Sequence, residues 1–157
     1  MLVVADTTPI NYLVLIGEIE ILPSLYPQVW IPSEVHAELL RPGAPERVRL
    51  WAAGLPEWCT VMSPNFEPDP ALSSLDPGER DAILLAMESG ADLLLIDERK
   101  GREEAQRRNL RITGTVGVLE FASQRGLVDF RWALERLDQT SFRLAPALKI
   151  ALLARNP

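Results

Sequence analysis

The fold is decided by residues 76–97, whose sequence is DPGERDAILLAMESGADLLLID. The first part has the apolar periodicity of a helix, which begins near Asp76 and which Gly90 ends. Leu93–Ile96 is a continuous apolar run, as expected of a parallel strand that is covered on both faces. This strand ends at Asp97. A helix that leads into a buried strand predicts an α/β fold with a parallel sheet.

The same alternation of strands and helices extends over the rest of the chain. Further strands are predicted at Leu2–Ala5, Gln28–Ile31, Cys59–Met62 and Arg111–Thr113. Further helices are predicted at Pro9–Ile16, from Ser33 as N-cap through Leu40, and at Pro45–Ala53, Gly101–Asn109, Thr115–Arg125, Phe130–Leu137 and Pro146–Ala154. The polar segment Ser63–Ser74 is predicted to be a long surface loop. We expect one domain over residues 1–157, with a helical tail from about 129 to 157.

The charge balance restricts the partners that the protein can have. Acidic residues outnumber basic residues by 22 to 16, which gives a formal net charge of −6. A surface with this balance does not attract nucleic acid as a whole. This argument against nucleic-acid binding is weaker if several of the carboxylates are concentrated in one site and neutralised by divalent cations.

Cysteine content and hydropathy indicate the compartment. Cys59 is the lone cysteine, so an intramolecular disulfide is excluded, and we interpret it as a small buried hydrophobe. The apolar run at the N-terminus has no basic flank and no cleavage site of a secretion signal. No apolar stretch approaches the length that spans a bilayer. We therefore expect a cytoplasmic protein.

Two aspartates directly follow apolar strands. Asp6 follows Leu2–Ala5, and Asp97 follows Leu93–Ile96. Ligands of open parallel sheets collect beyond the carboxyl ends of the strands, so both side chains are predicted to reach the same site. Each aspartate alone is equally well explained as the start of a turn or the cap of a helix.

Two glutamates are candidates to join them. Glu38 lies beside the apolar stripe of its helix, although a solvated surface position would also explain it. Glu79 stands three residues after Asp76, which is also the spacing of a capping box. Asp81, two residues further on, is the alternative acid from this helix.

Four converging carboxylates would repel one another and take up protons unless cations enter the cluster. Oxygen ligands favour Mg²⁺ or Mn²⁺, whereas a zinc site would need more Cys and His than this chain has. Such ions polarise a phosphodiester and lower the pKa of water. The residues thus point to metal-dependent hydrolysis, with either one ion or two.

Several motifs together resemble the PIN-domain family. They are Asp6-Thr7-Thr8-Pro9, Val35-His36-Ala37-Glu38-Leu39, Gly78-Glu79 and Leu95-Ile96-Asp97-Glu98-Arg99, in the family's order over most of the chain. A closer resemblance to a prokaryotic branch of the family lies in Leu75–Ile83, Ile96–Arg102 and Thr113–Leu119.

The resemblance implies a three-layer α/β/α fold, endoribonuclease activity on RNA, and often the role of a toxin beside a small antitoxin. It matches Asp6, Glu38, Glu79 and Asp97 to the four family acids, which are catalytic and bind Mg²⁺ or Mn²⁺. Two departures stand out. The third acid is often Asp in relatives, and a basic run beginning at Arg99 replaces the usual acid or Phe that follows the fourth.

Substrate contacts are predicted beside these acids. Arg99, Lys100 and Arg102 lie in the one locally basic stretch, and we expect them to hold flanking phosphates. Arg107 and Arg108 we interpret instead as paired along their own helix. Thr7 or Thr8 is expected to orient Asp6 or to hold water, and Thr115 to meet phosphate; helix capping is the alternative for each.

The remaining features have structural explanations that we prefer. His36 is interpreted as a polar helix position, and Trp30, Trp51, Trp58 and Trp132 mainly as core or interface residues rather than base-stacking platforms. The apolar tail 145–154 needs a partner surface, which is its own domain, an antitoxin or a second copy, and a homodimer is expected.

Three other functions are weighed against the nuclease. The first is a PIN-like scaffold that has become a non-catalytic binding module. It would bind divalent ions only weakly, whereas a nuclease would bind Mn²⁺ saturably. A phosphatase with Asp6 as nucleophile commonly has Asp two positions on, where this chain has Thr8. A dinucleotide-binding domain would need a glycine-rich turn after the first strand, which is absent from the sequence.

Overall fold

The computed structural model describes residues 1–67 and 69–157. Within these residues, a sheet of five parallel strands has the order β3-β2-β1-β4-β5. The strands are β1 Leu2–Ala5, β2 Gln28–Pro32, β3 Cys59–Met62, β4 Leu93–Leu95 and β5 Ile112–Thr113. Strand order reverses between β1 and β4, where Ala5 pairs with Leu95. The predicted parallel α/β sheet is confirmed.

Helices cover both faces of the sheet. They are α1 Thr7–Leu15, α2 Ile21–Leu25, α3 Ser33–Leu39, α4 Glu46–Ala53, α5 Pro77–Ser89, α6 Arg99–Arg107, α7 Thr115–Gln124, α8 Phe130–Asp138 and α9 Pro146–Arg155. One core lies between the sheet and the helices that include α1, α7 and α8, and a second core lies beneath α5 and α6. Neighbouring residues of β1 alternate between them: Val3 faces the first core and Val4 the second. This is the three-layer α/β/α arrangement.

The structure differs from the sequence-based boundaries at the carboxyl ends of the strands. Helix α1 begins at Thr7 and not at Pro9, and α6 begins at Arg99 and not at Gly101. Pro32, and not Ser33, occupies the N-cap position of α3. Each shift shortens the link between strand and helix, so the acids that follow β1 and β4 are held closely by regular structure on both sides.

Two further segments differ from expectation. The short helix α2 was not predicted; it contains Pro23 and is too brief for a clear periodicity. The predicted surface loop Ser63–Ser74 includes Pro68, which lies outside the described residues. Elsewhere in that segment, Pro70–Leu72 forms a turn of 3₁₀ helix whose Leu72 is buried in the second core.

The C-terminal tail packs on its own domain. Phe130, Leu134 and Leu137 of α8 are buried, and α9 contributes the buried Leu152. The tail therefore finds one of its expected partner surfaces within the chain, while Leu148 and Ile150 of α9 stay exposed. No helix in the described ranges is long and apolar enough to cross a membrane.

Candidate metal centre

Asp6 lies at the point where the strand order reverses. Its backbone nitrogen donates a 2.9 Å hydrogen bond to the carbonyl oxygen of Leu95, which ties the end of β1 to β4. The side chain is only 2% exposed, makes no capping hydrogen bond to α1, and leaves Oδ1 without a partner in the described part of the chain. A buried carboxylate oxygen without a donor is costly, so it indicates a missing ligand.

The electrostatic surroundings of Asp6 favour its neutral form. Burial raises its pKa to about 7, opposed in part by the Thr7 backbone and reinforced by the carboxylates of Glu38, Asp97 and Glu98. These effects place the other acids close to Asp6. A divalent cation among them would reverse this balance and favour the ionised carboxylates.

Glu38 joins three helices at one end of the sheet. Its carboxylate accepts hydrogen bonds from the hydroxyl of Thr7 in α1 and, at 3.1 Å, from the backbone nitrogen of Gly78 in α5. The side chain is half-buried, so the alternative of a freely solvated surface position is wrong. Thr7 thus orients Glu38, whereas the sequence suggested that it orients Asp6.

The structure brings Glu79 to the centre and directs Asp81 elsewhere. Glu79 is 8% exposed, and its pKa is raised to about 8 by burial first and then by the carboxylates of Asp6, Asp76 and Glu98. Within the described part of the chain, the Asp76 side chain makes no capping hydrogen bond to α5, so the capping-box alternative is wrong. Asp81 forms a 2.9 Å ion pair with its neighbour Arg80.

Asp97 is held by the start of α7. Thr115 donates to it twice, from its backbone nitrogen at 2.9 Å and from its hydroxyl at 2.6 Å. Burial raises the pKa of Asp97, while Thr115 and the guanidinium of Arg102 act in the opposite direction. Thr115 is fully buried, so these contacts assign it to the positioning of Asp97 and leave it no exposed surface for a substrate phosphate.

Three glycines leave the space that the carboxylates occupy. A Cβ atom at Gly78 would lie 2.7 Å from Glu38 Oε1, one at Gly101 would lie 2.8 Å from Glu79 Oε2, and one at Gly114 would lie 2.5 Å from Asp97 Oδ1. Sequence reasoning missed this role. The signal was present, because each glycine stands in a motif that also contains an acid or the partner of one.

Two acids that the sequence analysis did not select also belong to the surroundings of the centre. Asp76 and Glu98 are exposed, and each raises the pKa of Glu79. Glu98 also raises the pKa of Asp6. In the sequence, only their positions near the selected acids indicated this, since Glu98 directly follows Asp97 and Asp76 precedes Glu79 by three positions.

The basic residues divide into exposed and anchored ones. Arg99 and Lys100 are exposed and line a cavity of about 370 Å³ together with Glu79 and Glu98. Arg102 instead donates a 3.0 Å hydrogen bond to the carbonyl oxygen of Ile96, so it braces the segment that carries Asp97. Its expected contact with phosphate stays a prediction, as do those of Arg99 and Lys100.

The remaining charged and aromatic residues named in the sequence make contacts within the fold. Arg107 and Arg108 both pair with Glu104, as predicted, and Arg108, which directly follows α6, also pairs at 3.0 Å with Asp69 from another segment. The ring of His36 is hydrogen-bonded at 2.9 Å to the carbonyl oxygen of Ala52, a structural contact. Trp51 and Trp58 pack on each other and on the first core, whereas Trp132 is 44% exposed.

The donor set fits a hard divalent cation. Asp6, Glu38, Glu79 and Asp97 come from four different segments and offer only carboxylate oxygens, the ligands that Mg²⁺ and Mn²⁺ prefer. The unpartnered Oδ1 of Asp6 points to the same conclusion. Among the described residues, no group of three or more His, Cys, Asp or Glu side chains is placed so that it could hold a metal ion.

Comparison with known proteins identifies the family. A family model described as a PIN domain matches residues 2–156, almost the whole chain. No curated protein matches the sequence. PIN domains are generally nucleases and typically use divalent metal ions, in agreement with the acidic centre at the end of the parallel sheet. The chain belongs to the PIN-domain family.

Proposed function

We propose that this protein is a metal-dependent endoribonuclease that hydrolyses phosphodiester bonds of RNA. The observation that carries the proposal is the buried, unpartnered carboxylate oxygen of Asp6. Membership of a nuclease family supports hydrolysis of phosphodiester bonds as the reaction. The carboxylates around Asp6 are the type of ligand that a catalytic divalent ion would need.

Asp6, Glu38, Glu79 and Asp97 are proposed as the residues that hold Mg²⁺ or Mn²⁺. When bound, such an ion polarises the phosphodiester and lowers the pKa of water. Thr7 keeps the Glu38 carboxylate in place, and Thr115 keeps that of Asp97. Positioning residues of this kind fix the orientation of ligands and raise their affinity for the metal.

Protons and cations compete for the same oxygens. Asp6 and Glu79, whose pKa values are raised to about 7 and about 8, carry protons for part of the time near neutral pH. They release these protons when a cation is bound, so affinity for the metal rises with pH over this range. The same protons prevent mutual repulsion when no cation is present.

RNA is proposed as the substrate because the sequence resembles the ribonucleases of the family. Arg99 and Lys100 are candidates to hold phosphates next to Glu79, since they line the same cavity. Arg99 is exposed, and its ion pair with Glu103 is also at the surface, so the pair costs little to break.

Partners are proposed from the exposed part of the tail. Leu148 and Ile150 are 49% and 70% exposed on α9. A small antitoxin protein or a second copy of the chain, which would make a homodimer, is expected to cover such residues. A role as the toxin of a toxin–antitoxin pair is proposed on the resemblance alone.

One observation favours a different function. No group of three or more acids among the described residues is placed so that it could hold a metal ion, and the pKa values of Asp6 and Glu79 are raised to about 7 and about 8. A PIN-like module that binds nucleic acid or protein without catalysis would have these properties. It would bind Mn²⁺ weakly or not at all.

Cleavage of a mixed pool of labelled RNAs tests the proposal. The purified protein is assayed with Mn²⁺ or Mg²⁺ and with chelator, beside an Asp6→Asn variant and an Asp81→Asn control. Cleavage that needs the metal, is lost in Asp6→Asn and survives in Asp81→Asn supports the nuclease. Absence of cleavage by a folded protein that also fails to bind Mn²⁺ supports the non-catalytic module.

A further inference from the structure

Two cavities adjoin at the first turns of α1, and each contains one of the four acids. One cavity, of about 590 Å³, is lined by Glu38 and Asp76, and a second, of about 530 Å³, is lined by Asp97 and Glu98. Thr7 and Asn11 line both cavities, so the two meet on the surface of α1. Glu38 and Asp97 therefore lie in adjoining cavities, one in each, and we call the two cavities together the groove.

An exposed arginine stands in each half of this groove. Arg41 follows α3 and lines the first cavity, and Arg143 lies between α8 and α9 and lines the second. Neither forms an ion pair within residues 1–67 and 69–157, whereas Arg107 at the end of α6 and Arg108 directly after it are paired with Glu104. Guanidinium groups that flank an acidic centre and have no carboxylate partner are suited to bind phosphates.

The half of the groove at Arg143 also offers apolar surface. Tyr12 and Phe142 line it, with their rings in edge-to-face contact at a centroid distance of 5.0 Å. The hydroxyls of Tyr12 and Ser141 are hydrogen-bonded at 2.9 Å, which holds the segment before α9 against α1. Aromatic surface next to a cation is the combination that unstacked bases and their phosphates contact in single-stranded nucleic acid.

We infer that single-stranded RNA lies along this groove, with Arg41 and Arg143 each holding a phosphate on either side of the bond to be cut. The inference rests on the proposed function, because it takes the acids as the place of cleavage. It explains how a protein with a net charge of −6 retains a polyanion: cations stand at both ends of the acidic stretch.

Fluorescence anisotropy with a labelled, unstructured RNA tests the groove. Binding is measured in chelator, so that affinity is read without metal-dependent cleavage. We expect Arg41→Ala and Arg143→Ala each to weaken binding several-fold and to reduce the slope of log affinity against log salt by about 0.7, with a loss of about 1.4 in the double variant. Arg131→Ala, which changes an exposed arginine of α8 that lines neither of these two cavities, should change neither quantity.

Two results would overturn the inference. One is a double variant that binds RNA as tightly as Arg131→Ala does. The other is a loss confined to an Arg99→Ala, Lys100→Ala variant, which would place the RNA in the neighbouring cavity. If single-stranded DNA binds with equal affinity, and the Arg41→Ala and Arg143→Ala variants lose affinity for it to the same extent, the restriction to RNA would be overturned.

The test is separable from the proposed hydrolysis. A protein that binds RNA through Arg41 and Arg143 but cuts nothing in Mn²⁺ refutes the hydrolysis and leaves the groove in place. A protein that cuts RNA, and whose double variant binds and cuts normally, refutes the groove alone.

Discussion

Asp97 accepts two hydrogen bonds from one residue, since both the backbone nitrogen and the hydroxyl of Thr115 donate to its carboxylate. Asp97 follows β4, whereas Thr115 begins α7 after the neighbouring strand β5. The start of α7 therefore fixes an acid that belongs to the adjacent strand. The acid is held in a single orientation before any ligand arrives. Pre-organisation of this kind lowers the cost of binding a cation.

Replacement of Thr115 should therefore affect the metal site more than the fold. We expect Thr115→Val to lower affinity for Mn²⁺ by about 10-fold or more. It should lower the free energy of unfolding by about 2 kcal/mol, because a buried hydrogen bond to a charged group is lost. Calorimetric titration with Mn²⁺ and urea denaturation measure the two effects. Thr115→Ser keeps the hydroxyl and should restore metal affinity; if it does not, the hydrogen bond is not the cause.

The stability of the metal-free protein should fall as the pH rises. The pKa of Asp6 is about 7 in the folded chain and has an ordinary value of 3.8. Between these values the folded state holds a proton that the unfolded state lacks. The contribution is complete below about pH 4 and is lost as the pH rises through 7. It amounts to at most about 4 kcal/mol, since one pKa unit corresponds to about 1.4 kcal/mol.

Urea denaturation in chelator at pH 5 and pH 8 measures this effect. Asp6→Asn removes the titrating group, so its stability should depend less on pH, with the remaining dependence due partly to Glu79. At pH 8 the variant should be more stable than the natural protein, because no buried charge remains. An unchanged pH dependence in Asp6→Asn would contradict the assignment of the raised pKa to Asp6.

The space beside Glu79 should matter more for metal binding than for folding. A Cβ atom at Gly101 would lie 2.8 Å from Glu79 Oε2 and 2.6 Å from the end of the Ile96 side chain. We expect Gly101→Ala to displace Glu79 and weaken Mn²⁺ binding. The free energy of unfolding should fall by about 1–2 kcal/mol, because crowding against the buried Ile96 outweighs the gain from placing alanine in the helix.

Gly54→Ala is the matched control for this prediction. A Cβ atom at Gly54 would meet no atom of the described residues within 4 Å. Its metal affinity should equal that of the natural protein in the same titration. If Gly101→Ala also binds Mn²⁺ normally, then Glu79 is not a ligand, or it can bind from another position.

The sheet and the two strand-end acids were predictable from the sequence because both depend on local pattern. Continuous apolar runs identify buried parallel strands, and a residue that follows such a strand must lie at its carboxyl end. Asp6 and Asp97 meet this condition, and the structure places both at the reversal of strand order. Glu38 was predictable from its position beside the apolar stripe of α3.

The choice between Glu79 and Asp81 could not be made from the sequence. Residues two apart on a helix point in different directions, but nothing local says which direction faces the other acids. The decision depends on how α5 packs on the sheet, which buries Glu79 and leaves Asp81 to pair with Arg80. The close approach of Gly78, Gly101 and Gly114 to carboxylates likewise depends on contacts between elements that are distant in sequence.

Isothermal titration calorimetry with Mn²⁺ tests the central claim most directly, because it measures whether the acids bind a divalent cation. The natural protein should bind Mn²⁺ saturably, Asp6→Asn should bind none, and Asp81→Asn should bind as the natural protein does. If the natural protein shows no saturable binding, or if Asp6→Asn binds Mn²⁺ equally well, the acids around Asp6 are not a metal centre.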